Sequence, residues 1–297
     1  MRFGFIVPHN YGIESVQDVL HVAVEAEEMG FDSVWVNHHI LHAGYVLDRL
    51  GDRPYFEGLT VLTYLAALIG KARLGTSVLV LPYLNPIVLA KALATLDVLC
   101  DGRLTVGVGV GILRPESDAL GSDFSTRGVY ADESIAIMKE LWTEKDPSFS
   151  GRFFSFSGVK ASPKPVQKPH PPILIGGNSR AALRRVARMA DGWHPNSTTP
   201  AETASAVEYL KWQMDAAGRD MSEISITIRS ELDVLDSAPT QPQEPMVGTP
   251  DQLLEAIETF GSLGVSEIVL QVGATEPDRC RRVMEAFAEK VMPRAVG

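Results

Sequence analysis

Eight short apolar runs alternate with longer segments of helical period, and this alternation limits the fold more than any other feature of the chain. The runs are FGFIVP (3–8), SVWVNH (33–38), ARLGTSVLVLP (72–82), LTVGVGVG (104–111), ILIGG (173–177), GWHP (192–195), ISITIRSELDVL (224–235) and SEIVLQVG (266–273). They are near-continuously apolar, as parallel strands covered on both faces are. In the first intervening segment Val16, Val19, Leu20, Ala23 and Ala26 share one helical face, and Gly30 stops it. Pro86 opens another helix, and Thr249-Pro250 a third. Open doubly wound sheets usually hold fewer units. The expectation is therefore an α/β fold, a closed (β/α)8 TIM barrel whose chemistry lies at the C-terminal ends of the strands. A chain of 297 residues, 45% apolar, is of a size to build that barrel as one domain, 1–297.

One stretch breaks the rhythm. Residues 112–172, between strand 4 and strand 5, are too many for a single βα connection and read as a cap inserted over the barrel mouth. The stretch holds a helix (YADESIAIMKELW), a hairpin around FSGRFFSFSG, and the proline-rich SPKPVQKPHPP, whose prolines favour extended backbone. Phe149, Phe153, Phe154 and Phe156 fit either an apolar lid or the packing of the hairpin itself.

The net charge of −10 is spread without any block of Lys or Arg, so the positive footprint required for nucleic acid is missing. Cys100 and Cys280 stand far apart, outside any metal-ligand or disulfide pattern, which fits a reducing cytoplasm. The chain enters its first strand directly after Met1, and no apolar run approaches membrane-spanning length. A soluble cytoplasmic protein is expected, with no membrane or nucleic-acid partner.

Three of the seven histidines, His38, His39 and His42, cluster where strand 2 should end. Adjacent strand residues point to opposite sides, so His38 and His39 cannot chelate one metal from regular β geometry, and no metal is expected. They read as a base or cofactor contact at the barrel mouth, or as ordinary hydrogen-bonded loop residues. Gly75, Thr76 and Ser77 are small and either admit a planar ligand or fill a tight interior. VGVGVG (106–111) places Gly107, Gly109 and Gly111 on one side, but no helix follows directly, so it is a poor dinucleotide fingerprint. Gly176-Gly177 followed by Asn178-Ser179 opens a helix, which is either a phosphate site or a plain capped turn.

Taken together, AEEMGFDSVWV..H, LGTSVLVLP..NP..LAKALATLDVL..GRL..GVGVG, RGVYADESIAIMKELWT, PKPVQ.P.PPILIGG and ADGWHP resemble the luciferase-like oxidoreductases, and most closely their deazaflavin-dependent branch. The resemblance is dispersed over residues 3–273. It implies a barrel binding coenzyme F420 or FMN, with Asn37, His38 and His39 against the reactive centre of the ring. It further implies that Gly75, Thr76, Ser77 and Val78 form a bulge, often with a cis peptide, behind the ring, and that Val108 and Gly109 lie along the ring or polyol. Gly176, Gly177, Asn178 and Ser179 would form the phosphate loop, with Arg127 as a further anion contact or a surface salt bridge. The implied activity is hydride transfer between F420 and a small organic substrate, with His39 or His38 handling the proton. An FMNH2-dependent monooxygenase using O2 and a non-catalytic flavin-binding protein are the alternatives, and a homodimer is implied. The branch commonly carries Asp-His where this chain has His38-His39, a pairing also seen among FMN monooxygenases.

Overall fold

The computed structural model describes residues 1–241 and 244–295. The eight expected strands form as β1 Arg2–Ile6, β2 Ser33–Val36, β3 Arg73–Thr76, β4 Leu104–Gly109, β5 Ile173–Gly176, β6 Gly192–His194, β7 Ser225–Glu231 and β8 Val265–Gln271. Every neighbouring pair is parallel, in the order β3-β2-β1-β8-β7-β6-β5-β4. Leu74 of β3 pairs with Leu104 of β4, which closes the ring. No open edge remains in the barrel, so its backbone donors and acceptors are satisfied around the circle.

Local sequence explains the surrounding helices. Ser15 caps the helix Val16–Glu28, Asn85 caps Pro86–Leu99, and Thr199 and Thr249 form capping boxes with Glu202 and Gln252. Each cap satisfies first-turn amides that would otherwise lack partners.

The barrel interior is filled rather than hollow. Ile6, Trp35, Leu174 and Val269 form its apolar plug. The Trp35 indole donates to Ser33 Oγ at 2.6 Å, and Ser33 in turn donates to the buried Glu267 carboxylate. A Cβ at Gly75 would sit 2.2 Å from the Trp35 ring, so this glycine is small to admit the indole, not a ligand. An indole buried this fully contributes on the order of 3–5 kcal/mol by the cost of truncating it.

Two boundaries differ from the expected ones. The third run does not continue as a strand to Pro82. It breaks at a cis Ser77–Val78 peptide, resumes briefly at Leu79–Val80, and turns into a 3-10 helix at Leu81–Tyr83. The seventh run leaves the barrel after Glu231, and Asp233–Val234 pairs instead with Val247–Gly248 in a separate two-stranded sheet.

The insertion divides its work. A short helix, Arg114–Ala119, lies at the mouth, whereas Arg127–Thr143 docks on the outer helix Pro86–Leu99, Trp142 Nε1 donating to Ala90 O at 2.9 Å. The hairpin pairs Phe149–Ser150 with Ser155–Phe156. Its four phenylalanines do not reach the cavity described below: Phe149 stacks on Phe156, and Phe153 and Phe154 pack on Tyr130. Packing of the hairpin, rather than a lid, accounts for them.

Candidate active site

At the C-terminal ends of the strands lies a cavity of about 700 Å3. Regular β2 geometry stops at Val36, so the alternation expected of a strand does not extend to the histidines, and Asn37, His38 and His39 all line this cavity. His9, at the end of β1, fixes their starting point. Its Nδ1 donates to Phe56 O at 2.7 Å, and its Nε2 accepts the Asn37 amide at 2.9 Å. Burial pushes the His9 pKa down to about 4, so the ring is neutral and this tautomer is set by its two partners.

The two adjacent histidines have different surroundings. His38 is buried, its Nδ1 accepts the Val80 amide at 3.3 Å, and burial lowers its pKa to about 4. It is a neutral ring with its hydrogen on Nε2. His39 lies with Nδ1 2.7 Å from Glu116 Oε2 and Nε2 2.8 Å from Tyr45 Oη. Glu116 has no exposed surface and also accepts the Ile40 and Leu41 amides, at 2.7 and 3.1 Å. Burial by itself would raise this carboxyl, but the hydrogen bonds from His39 and the two amides outweigh it and hold the group ionised below its usual range. His42 turns away and bonds Gly51 O at 2.8 Å.

The cavity floor is built on the cis bulge. Ser77 Oγ lies 2.8 Å from His194 Nε2, while His194 Nδ1 donates to Thr227 O at 2.8 Å, so the serine hydroxyl must be the donor. The His194 ring stacks on Trp35, 5.2 Å between centroids and 6° from parallel. Val78 projects over β4 and β5, where a Cβ at Gly109 would lie 2.7 Å, and one at Gly176 2.9 Å, from its methyl groups. Ser77, Val78, Val108 and Gly109 line the cavity, and Gly75 and Thr76 do not. Those two lie behind it, Thr76 donating to Gly107 O at 2.8 Å.

Gly176, Gly177, Asn178 and Ser179 continue the lining beyond Val78. Gly177 adopts φ +106°, which only glycine takes without strain, and Ser179 caps the helix Arg180–Met189 by accepting from Ala182 N. The Asn178 side chain is committed to structure, clamping both the amide and carbonyl of Asn196. The first turn of the helix opens on the cavity through Ala181 and Ala182, presenting the positive end of its dipole. Among the described residues, Arg127 forms no salt bridge. It lies 3.8 Å from the Phe124 ring centroid, with Nη1 on Phe124 O and a buried Nε that has no partner.

The donors fit a flavin-type coenzyme. Both amide atoms of buried Asn37 are without partners, a donor and an acceptor side by side, as a pyrimidinedione edge requires. The helix terminus and Arg127 suit a phosphate. Among the described residues no cluster of His, Cys, Asp or Glu could hold a metal ion, and no helix is long and apolar enough to cross a membrane.

Sequence reasoning passed over Tyr45, Arg49, Glu116, His194 and Arg229, all of which line the cavity or, in the case of Glu116, support it from behind. Arg229 did carry a signal, a charge in the middle of an apolar barrel strand. Glu116 carried none, because nothing local marks a carboxylate that will bury itself against a histidine 77 positions earlier.

A sequence profile of the luciferase-like monooxygenases matches residues 1–239. The chain is 31% identical over 225 residues to an F420-dependent glucose-6-phosphate dehydrogenase of Amycolatopsis mediterranei, covering 73% of this chain and 65% of that protein, just under two thirds of its length. It is 33% identical over 193 residues to an FMNH2-dependent dimethylsulfone monooxygenase of Pseudomonas putida, covering 64% of this chain and 49% of that one. Among solved structures, an F420-dependent secondary alcohol dehydrogenase in complex with an F420-acetone adduct superposes with a TM-score of 0.81 at 17% identity, over 99% of this chain and 98% of that one. A monooxygenase from Streptomyces bottropensis superposes with a TM-score of 0.83 at 24% identity, over 99% of both chains. At these identities the structural likenesses show the fold.

Proposed function

The chain belongs to the luciferase-like monooxygenase family, and on that premise we propose that it is an oxidoreductase using coenzyme F420 to move a hydride to or from a small organic substrate. The observation that carries the reading is His39, held at the cavity between a buried carboxylate and a tyrosine hydroxyl, two residues from the unpartnered Asn37 amide. F420, when bound, supplies two-electron hydride chemistry, and the protein supplies binding, orientation and the matching proton.

Residue by residue, the proposal assigns Asn37 to the edge of the ring, and Ser77, Val78, Val108 and Gly109 to its support. The backbone of Gly176, Gly177, Asn178 and Ser179, whose last two side chains are already engaged, and the Arg127 guanidinium are assigned to the phosphate. His39 carries the proton. Glu116 accepts from Nδ1, so proton exchange occurs at Nε2, with Tyr45 relaying it. His38 is too weakly basic to share that task near neutral pH and instead offers a fixed Nε2–H donor.

The similarity to an FMNH2-dependent enzyme supports a second reading, an oxygen-using monooxygenase on the same site. Titration of the purified protein with F420 and with FMN, followed by tryptophan quenching, separates the two. Selective F420 binding with reductive turnover supports the proposal, and selective FMN binding moves the function to oxygenation. Binding of either without turnover by any reductant would leave a non-catalytic flavin-binding protein. Binding of neither would sink the reading.

The single-domain reading with a cap at 112–172, a cytoplasmic location and a homodimer complete the proposal. The homodimer rests on the family resemblance alone. Sedimentation of the purified protein tests it.

A further inference from the structure

Four arginines line the cavity, Arg49, Arg127, Arg185 and Arg229, and among the described residues no Asp or Glu does. Two of them are accounted for by the coenzyme end. Arg185 pairs with Asp132 beside the phosphate loop, and Arg127 lies next to that loop. Arg49 and Arg229 have no such explanation.

These two are tied together away from the loop. The Arg49 guanidinium lies 4.4 Å from the Tyr11 ring centroid and gives Nη2 to Asn10 O at 3.0 Å. Tyr11 Oη bonds Gln271 Nε2, and Gln271 Oε1 takes Arg229 Nη2. Arg229 also reaches across the barrel to Ser77 O at 3.4 Å. Every one of these partners is uncharged. The Glu231 carboxylate attracts Arg229 through space but does not bond it, because Gln271 stands between them and gives Glu231 its Nε2–H at 3.1 Å. The Arg49 Nε–H is buried with no partner at all. Two guanidinium charges lining one cavity, each hydrogen-bonded only to uncharged groups and one with an unused buried donor, cost free energy unless an anion completes them. Arginine forks suit a planar or tetrahedral oxyanion in particular.

We propose that this wall binds an oxyanion carried by the organic substrate, with Arg49 and Arg229 as its counter-ions. The substrate class is thus an organic acid, a carboxylate, sulfonate or phosphate ester, whose charged group lies at the Arg49–Arg229 wall while its reacting carbon faces His39. The inference rests on the oxidoreductase reading only in taking the ligand to be the substrate.

The test uses probes sharing one apolar body: benzoate, benzenesulfonate and phenyl phosphate, with benzamide and benzyl alcohol as neutral matches. Binding is read by coenzyme fluorescence in F420-saturated protein, and by tryptophan fluorescence in free protein. The expected result is saturable binding of at least one anion to the loaded protein, with the neutral matches roughly tenfold weaker or more, as loss of a charge-assisted hydrogen bond implies. R49Q and R229Q should each weaken that anion by a similar factor while F420 affinity changes little. R49K, which keeps charge but not the fork, should recover part of it. If neutral probes match the anions, or no anion binds, the proposal is overturned. It is also overturned if both glutamine variants lose F420 in place of the probe, which would assign these arginines to the coenzyme. Should F420 itself fail to bind, the oxidoreductase reading fails separately. The free protein then still reports the anion site, with R127Q controlling for the phosphate loop.

Discussion

His39 and Glu116 meet at 2.7 Å although one follows a barrel strand and the other opens the insertion, and the carboxylate is sealed from solvent. Replacing Glu116 by glutamine leaves one acceptor oxygen where His39 and the Ile40 and Leu41 amides use two, and removes the charge that would balance a protonated imidazole. The turnover number of E116Q should fall roughly 100-fold, the low end of general acid–base contributions, with F420 affinity nearly unchanged. Single-turnover kinetics against F420 titration checks this, and equal losses in both would sink the role.

The same carboxylate has a pH signature. Its pKa is held below the usual value of 4.5, so the stability it contributes is present above that pH and is lost as pH falls through its folded-state value. Urea midpoints of the wild type should therefore drop more steeply than those of E116Q below about pH 4.5.

Three buried neutral histidines act at higher pH. His9 and His38 titrate near 4 and His194 near 3, against 6.5 when unfolded. Between pH 6.5 and 4 the unfolded chain binds more protons, so stability falls as pH falls, by roughly 1.4 kcal/mol per pH unit for each ring. Denaturant titrations at pH 7, 6 and 5 should show this slope, and H194N should remove about one third of it. A flat profile would mean that these rings accept protons in the fold.

Gly109→Ala and Gly176→Ala each push a methyl group against the Val78 side chain, at 2.7 and 2.9 Å. A valine can shift slightly, so each should cost about 1–3 kcal/mol. Gly107→Ala drives its methyl group to within 2.0 Å of the Thr76 carbonyl, which cannot yield, and should be the most damaging of the three. Thermal unfolding of the set gives the ranking, and F420 binding should weaken with displacement of Val78.

Ser77→Ala removes the hydroxyl that His194 accepts and leaves a buried ring nitrogen unsatisfied. The expected loss is about 1–3 kcal/mol of stability. Ser77→Thr, which keeps the donor, should recover part of it, and chemical denaturation of both variants decides.

The barrel was legible because burial on both faces of a parallel strand forces long apolar runs, and because caps such as Asn85 and Thr249 are local devices. The break in the third strand was expected only through family resemblance, since nothing in LGTSVLVLP distinguishes a bulge from a continuing strand. The lining of the candidate site was legible where it coincides with strand ends, as at Asn37, His38 and Gly176. It was not where the decisive contact joins distant segments. Glu116 with His39, Ser77 with His194, and Arg49 with Arg229 through Tyr11 and Gln271 are all set by closure of the ring. Gly75 was open to two readings because a vacancy for a ligand and a vacancy for an indole look alike until the indole is placed.

The carboxylate facing His39 comes from the helix Arg114–Ala119, inside the segment that varies most freely in a barrel of this kind. Exchanging that segment for a foreign one to alter substrate preference would therefore also exchange the carboxylate that holds the His39 ring. With His39 as the proposed proton carrier, specificity and proton chemistry are not separable modules. A successful graft has to begin after Leu120, leaving the short helix with its barrel.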